Sequence, residues 1–149
     1  MSFCLILLAA GNSKRFSHKI PKPFIKVGGR TILELSLLKF MNISQIKNII
    51  VVTNKKHQKF IKTIKSQKFI KMIGGKTRQE STLKALKYIK KKQIKCSKVL
   101  IHDSARPNFS IQLIKRIINK SKKNTVVPKI PVNDALKIMI NKNELSNLT

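Results

Sequence analysis

The chain has 149 residues, enough to bury one substantial core and too few for two ordinary domains, and its 42% hydrophobic content excludes a disordered tail. Lysine and arginine number 33 against 5 aspartate and glutamate, a formal charge of +28 that pulls toward nucleic acid. Nearly all of the excess is lysine spread along the whole chain beside abundant Ile and Asn, the imprint of AT-rich coding sequence; with no Trp and one Tyr to stack on bases, specific nucleic-acid recognition is set aside and only nonspecific attraction to polyanions is expected.

Phe3 to Leu8 reads as a buried parallel strand, being a short unbroken apolar run. It is too short, and too soon polar, for a signal peptide, and no other run approaches the roughly 20 residues of a membrane span, so a cytoplasmic location with no membrane contact is expected. The strand breaks into Ala9-Ala10-Gly11-Asn12-Ser13, a turn without bulky side chains that lets backbone amides approach a phosphate, and the cations Lys14, Arg15, Lys19 and Lys22 follow. Gly11 stands alone, so neither a Walker loop nor a dinucleotide fingerprint is present. Lys14 and Lys19 are equally well explained as a solvated basic loop. Arg15 is less so, in a chain that uses lysine far more freely.

Thr31 and Glu34 form a capping-box pattern that opens a helix with apolar positions Ile32, Leu35, Leu38 and Met41, which gives Glu34 a structural role. Asn48 to Thr53 is a second buried strand, and a basic amphipathic helix with Phe60, Ile61 and Ile64 on its face is expected after it. Phe69 to Ile73 is a third strand. It ends in Gly74-Gly75-Lys76, after which Thr77 and Glu80 repeat the capping box ahead of a helix carrying Leu83, Leu86 and Ile89. A glycine pair followed by a helix start predicts a second place where backbone donors face outward. Val99 to Asp103 is a fourth strand with an acid at its carboxyl end; Ser110 caps a helix with Ile111, Ile114, Ile117 and Ile118 on one face, and Thr125 to Pro128 starts a fifth strand. Cys4 in a strand and Cys96 on a basic loop make a poor disulfide pair and are read as reduced thiols. His18 and His57 read as surface residues.

Strands alternating with helices predict a doubly wound, mostly parallel α/β sheet with helices on both faces. Ligands of such sheets sit beyond the carboxyl ends of the strands, which is where all three polar loops fall. With only Glu34, Glu80, Asp103, Asp134 and Glu144 available, a divalent metal has few possible protein ligands. For a bare Asp103-x-x-Arg106-Pro107, a structural turn with an internal ion pair and a ligand site stand as equal readings.

The motifs taken together resemble a known family. Ala9, Ala10, Gly11, Arg15, Pro21 and Lys22 match the A-A-G-x-x-x-R-(x)5-P-K signature of sugar nucleotidyltransferases. The string I-H-D-S-A-R-P, from Ile101 to Pro107, resembles the V-H-D-A-A-R-P of the 2-C-methyl-D-erythritol 4-phosphate cytidylyltransferases; Gly74-Gly75-x-x-Arg78-x-x-Ser81 resembles their G-G-x-x-R-x-x-S, and Pro131-Val132-x-Asp134 their P-V-x-D. This resemblance implies a Rossmann-like nucleotidyltransferase that joins CTP to methylerythritol phosphate and releases pyrophosphate, with Mg2+ as cofactor. It implies Arg15 and Lys22 as catalytic residues on the triphosphate, and Ala9, Ala10, Gly11, Gly75, Lys76, Arg78 and Ser81 as the nucleotide site. Asp103 is then the metal ligand and Arg106 the binder of the acceptor. Arg78 is open to a second reading, as a solvent-exposed residue of the first helical turn, and His102 is expected to pack or orient its neighbour. A cytidylyltransferase for another polyol phosphate, such as ribitol 5-phosphate, is the alternative.

Two departures from the family pattern set further expectations. Ala135 stands where the family usually has a substrate-binding Thr. The family also continues beyond residue 149 through more sheet, a substrate-binding Arg and a final Lys. Residues 1–149 are therefore expected to be the amino-terminal portion of one nucleotidyltransferase domain, its dimerisation arm from about residue 131 cut short. Such a portion is expected to bind CTP, to turn over weakly or not at all alone, and to form a homodimer when complete.

Overall fold

The structure, a computed structural model, describes residues 1–11, 13, 20–61, 68–131, 137–141 and 144–147. It divides into two compact units, Met1–Phe109 and Ser110–Thr149.

The first unit is built on a four-stranded parallel sheet of β1 (Phe3–Ala9), β4 (Ile46–Thr53), β5 (Phe69–Ile73) and β6 (Lys98–Asp103), in the spatial order β5-β4-β1-β6. All seven residues of β1 are buried, as expected of an apolar strand covered on both faces. Alternation then sorts its side chains. Cys4, Ile6 and Leu8 join Ile50 and Val52 of β4 in a core under Ala85 of helix α2 (Arg78–Lys91), with Tyr88 and Ile89 closing the edge. The opposite face carries Leu5 and Leu7, and Leu7 is in register with His102. Helix α1 (Ile32–Met41) lies on that side, where its Phe40 packs against the rings of His102 and Phe109 at centroid distances of 5.1 and 4.6 Å. Helices therefore cover both faces.

Between β1 and α1 come a 3-10 turn at Lys22–Phe24 and a small ribbon of β2 (Lys26–Val27) and β3 (Arg30–Thr31). The ribbon turns on Gly28 and Gly29 at φ 57° and 79°, the pair of left-handed residues that a two-residue hairpin needs. The capping box of α1 is complete: Thr31 Oγ1 accepts from the Glu34 amide at 3.1 Å, and the Glu34 carboxylate accepts from the Thr31 amide at 2.7 Å.

Several expectations need correction. The buried face of α1 is Leu33, Ser36, Leu37 and Phe40, not Ile32, Leu35, Leu38 and Met41, because apolar residues surround this helix and Ser36 turns inward to donate to the Ser104 carbonyl at 2.9 Å. In α2 the inward residues are Ser81 and Ala85, whose small size allows close approach to the sheet, while Leu83 and Leu86 are exposed. Its capping box is half formed: Thr77 accepts from Glu80, but the Glu80 carboxylate takes the Lys76 amide instead. Lys55–Phe60 is a 3-10 turn rather than an amphipathic helix, with Ile61 buried after it; Ile64 lies outside the described residues. His57 is half-buried, edge-on to Phe24, rather than a surface residue. Thr125–Pro128 forms no strand, and Val127 is 79% exposed.

The second unit contains helix α3 (Ile111–Lys120), capped by Ser110 Oγ on the Leu113 amide at 3.1 Å and burying Ile114 and Ile118, followed by an antiparallel ribbon of β7 (Lys137–Asn141) and β8 (Glu144–Asn147). No helix among the described residues is long and apolar enough to cross a membrane.

Candidate active site

β1 connects through α1 to β4 on one side, while β6 pairs with it on the other, so the chain reverses direction between β1 and β6. Ligands of open α/β sheets bind at such a switch point, beyond the carboxyl ends of the strands. A cleft of about 690 Å³ occupies that place in the first unit. Ala9, Ala10, Gly11, Lys22, Gly75, Lys76, Arg78, Ser81, Asp103 and Arg106 all line it, which is every site residue expected from the sequence that lies among the described residues. Arg15 lies outside them, as do Lys14, His18, Lys19, Val132, Asp134 and Ala135.

The first wall follows β1. Ser13 has a left-handed backbone, φ 52°, and its hydroxyl accepts from the Lys22 amide at 3.0 Å, which pins the 3-10 turn carrying Lys22 and Pro23 against the Ala9-Ala10-Gly11 loop.

The second wall is the glycine pair. The buried Ser81 hydroxyl accepts from the Gly75 amide at 3.0 Å, and the Glu80 carboxylate accepts from the Lys76 amide at 2.8 Å. A Cβ on Gly74 would stand 2.6 Å from Ser81 Oγ and 2.9 Å from Val52 Cγ1, and one on Gly75 would collide with Glu80. Only glycines fit. The Gly74 amide bonds the Thr53 carbonyl at 2.9 Å, so all three amides of Gly74-Gly75-Lys76 are engaged within the protein. The expected outward-facing donors are therefore absent from this loop, and its glycines serve close packing.

The third wall is the end of β6. Ser104, fully buried, donates through both its amide and its hydroxyl to the Leu8 carbonyl, at 3.0 and 2.7 Å, which locks the end of β6 to the end of β1. This residue sits inside the recognised motif but carries no charge, so nothing in the sequence marked it. Asp103 projects from the locked end with both carboxylate oxygens engaged. Arg78 Nε donates to Oδ1 at 3.0 Å, and Arg106 Nε stands 3.4 Å from Oδ2. Arg106 is held close by its amide on the Asp103 carbonyl at 3.1 Å, while His102 Nε2 bonds the Arg106 carbonyl at 3.0 Å. Facing a carbonyl, Nε2 is the donor, and the ring acts as a prop; burial between Phe40 and Phe109 pushes the His102 pKa below its usual value.

Four cationic side chains, Lys22, Lys76, Arg78 and Arg106, thus line the cleft with one carboxylate. That balance suits a polyphosphate. Among the described residues no group of three or more His, Cys, Asp or Glu could cage a metal ion. A single carboxylate does suit Mg2+, which is commonly bound by one or two carboxylates with substrate phosphates completing its shell. A larger hollow of about 800 Å³ lies beside α1, but its walls are mainly Phe24, Ile25, Leu37, Leu38, Met41 and Phe60, and its carboxylate, Glu34, is committed to the helix cap. Lys26 and Arg30 stand among these walls, and none of the residues of the expected site lines it.

Residues 3–147 match the family described as IspD, 2-C-methyl-D-erythritol 4-phosphate cytidylyltransferase. The chain is 42% identical over 144 residues to the bifunctional enzyme IspD/IspF of Pelagibacter ubique, covering 96% of this chain and 38% of that protein. It is 37% identical over 142 residues to the 2-C-methyl-D-erythritol 4-phosphate cytidylyltransferase of Thermosipho melanesiensis, covering 92% and 62%. Among solved structures, 4-diphosphocytidyl-2C-methyl-D-erythritol synthase of Anaerococcus prevotii superimposes with a TM-score of 0.77 at 30% identity, over 98% of this chain and 62% of that one. The chain thus spans 38% and 62% of the length of these two sequence relatives. With three of the four expected motif segments contributing residues to one cleft at the switch point of a parallel sheet, and with a match over residues 3–147, the chain belongs to the 2-C-methyl-D-erythritol 4-phosphate cytidylyltransferase family.

Proposed function

We propose that the cleft binds CTP and serves a cytidylyltransferase that makes CDP-methylerythritol from 2-C-methyl-D-erythritol 4-phosphate. One observation carries this reading: four cationic side chains and a single carboxylate line one cleft beyond the carboxyl ends of β1 and β6, two of the cations paired with that carboxylate. A phosphate oxygen of the acceptor attacks the α-phosphorus of CTP in line; the bond to the β-phosphate oxygen breaks, and pyrophosphate leaves with that electron pair. Such chemistry needs little covalent help from the protein, so positioning and charge neutralisation dominate. Lys22, held by the Ser13 hydroxyl, and Arg15 meet the triphosphate and the charge that grows on it in the transition state. Arg106 holds the acceptor phosphate, and Arg78 takes nucleotide phosphate oxygens. Asp103 is the protein ligand for Mg2+, which when bound neutralises phosphate charge.

Base selection falls to acceptors. The exocyclic amine of cytosine donates where uracil presents an oxygen. With the amides of Gly75 and Lys76 engaged, their carbonyls, with Ser81 and the Ala9-Ala10-Gly11 backbone, are the groups proposed to tell the two bases apart. The β7–β8 ribbon is proposed as part of an arm that pairs with a second copy, since a lone two-stranded ribbon is marginally stable in water.

Calorimetric titration of CTP with Mg2+, with UTP as control, tests the site. Saturable binding selective for cytosine is expected, weakened about tenfold or more in Lys22→Ala, because a hydrogen bond to a charged group is worth about 1.5–3 kcal/mol. Equal affinity for CTP and UTP, unchanged in the variant, overturns the proposal.

A further inference from the structure

Asp103 is the only carboxylate lining the cleft among the described residues, and both of its oxygens are occupied by guanidinium groups. A divalent cation that uses this carboxylate competes with both for its lone pairs and meets the positive charge of both as it approaches. The two arginines are held differently. Arg106 has its backbone fixed by a short turn, its amide on the Asp103 carbonyl and its own carbonyl on His102, while its guanidinium is 78% exposed at the longer contact. Arg78 reaches over from the first residue of α2, makes the shorter contact, and has a side chain that is 63% exposed. Both guanidinium groups have room to leave, and Arg78 is the one that the proposed site gives to the nucleotide.

We propose that Arg78 is an interlock between nucleotide and metal. Without nucleotide its guanidinium holds Asp103 and keeps divalent cations off the carboxylate; when a triphosphate enters, the guanidinium transfers to phosphate oxygens and Asp103 becomes available to the cation. Nucleotide and cation then enter as one unit, and each raises the affinity for the other. This inference rests on the reading of the cleft as a nucleoside triphosphate site with Asp103 as its metal ligand. Arg78 touches the nucleotide in this scheme but acts on the cation only through Asp103, so its effect is read in metal binding rather than turnover.

The test uses Mn2+ as the probe, with the free aqueous ion counted by electron paramagnetic resonance in the absence of nucleotide. Exposed ion pairs are individually modest, so Arg78→Gln is expected to bind Mn2+ about two- to fivefold tighter than wild type. Lys76→Gln removes the same charge from the same cleft without touching Asp103, and is expected to gain less. Asp103→Asn is expected to weaken binding and to abolish the Arg78→Gln gain in the double variant. CTP is expected to tighten Mn2+ binding by a smaller factor in Arg78→Gln than in wild type. If Arg78→Gln gains no more than Lys76→Gln while Asp103→Asn still weakens binding, the interlock is wrong and the metal site stands. If Asp103→Asn leaves Mn2+ affinity unchanged even with CTP present, the underlying reading of the site fails, and the interlock with it.

Discussion

His102 links the stability of the first unit to pH. Its ring lies between Phe40 and Phe109, and burial, the largest influence on it, holds its pKa below the usual 6.5; the Arg106 carbonyl and Asp103 oppose that shift, and the Arg106 charge adds to it. The unfolded chain therefore takes up a proton at a higher pH than the folded one. As pH falls from about 6.5 toward the lower folded value, the unfolded state binds more protons and stability declines. His57, also shifted down, first by burial and then by Lys56 and Lys59, contributes in the same direction. Thermal melts between about pH 5 and pH 8 are expected to show a smaller acid-side loss in His102→Gln than in wild type; parallel curves for the two proteins would remove His102 from the account. Of the residues around it, the charged ones were legible in the sequence, because Asp103, Arg106 and Arg78 announce their chemistry by type. Ser104 and Ser13 were not. Their roles depend on where a hydroxyl meets the Leu8 carbonyl and the Lys22 amide, and that is a property of the folded chain.

At the scale of elements, apolar runs located β1, β4, β5 and β6 to within a residue or two; central strands such as β1 are buried and continuously apolar, and the half-buried edge strands β5 and β6 keep enough of the pattern to be read. Helix faces were harder to read. The sequence of α1, I-L-E-L-S-L-L-K-F-M, has apolar residues all round, so spacing alone does not choose a face, and the deciding contact is the Ser36 bond to Ser104. Leu37, 1% exposed, and Leu38, 39% exposed, are chemically identical neighbours on opposite sides of that decision. Urea denaturation is expected to show Leu37→Ala losing about 2–5 kcal/mol, through lost burial and a residual cavity. Leu38→Ala is expected to lose less than about 1 kcal/mol. Similar losses at both positions would mean that the expected Ile32-Leu35-Leu38-Met41 face is buried after all. The missing strand at Thr125–Pro128 has a related cause: a short run holding two valines looks like a strand, but a strand also needs a neighbour for its amides, and Pro128 has no amide to offer.

The whole molecule carries +28, and the physical question is whether that charge has a partner of its own. Charge spread over a surface attracts DNA through counterion release, so log affinity falls linearly with log salt, with a slope of about −0.9 per phosphate neutralised. A site that reads a nucleotide also draws on hydrogen bonds to the base and on a shaped cleft. A triphosphate meets few cations there, four of which line the described walls. The two kinds of binding therefore separate as salt is raised. Fluorescence anisotropy with a labelled duplex is expected to show binding at about 50 mM salt that weakens by about a thousandfold or more at 200 mM, the behaviour of six or more phosphate contacts. Calorimetry over the same range is expected to show CTP affinity falling far less, with its preference over UTP intact. Duplex affinity that survives at 200 mM salt, with no selective CTP binding at any salt, would reverse the order of the two readings and make the charge the functional surface. The arrangement around Asp103 favours the first outcome, because two guanidinium groups converging on one carboxylate at a strand end are placed by the fold, whereas the lysines are spread along the whole sequence.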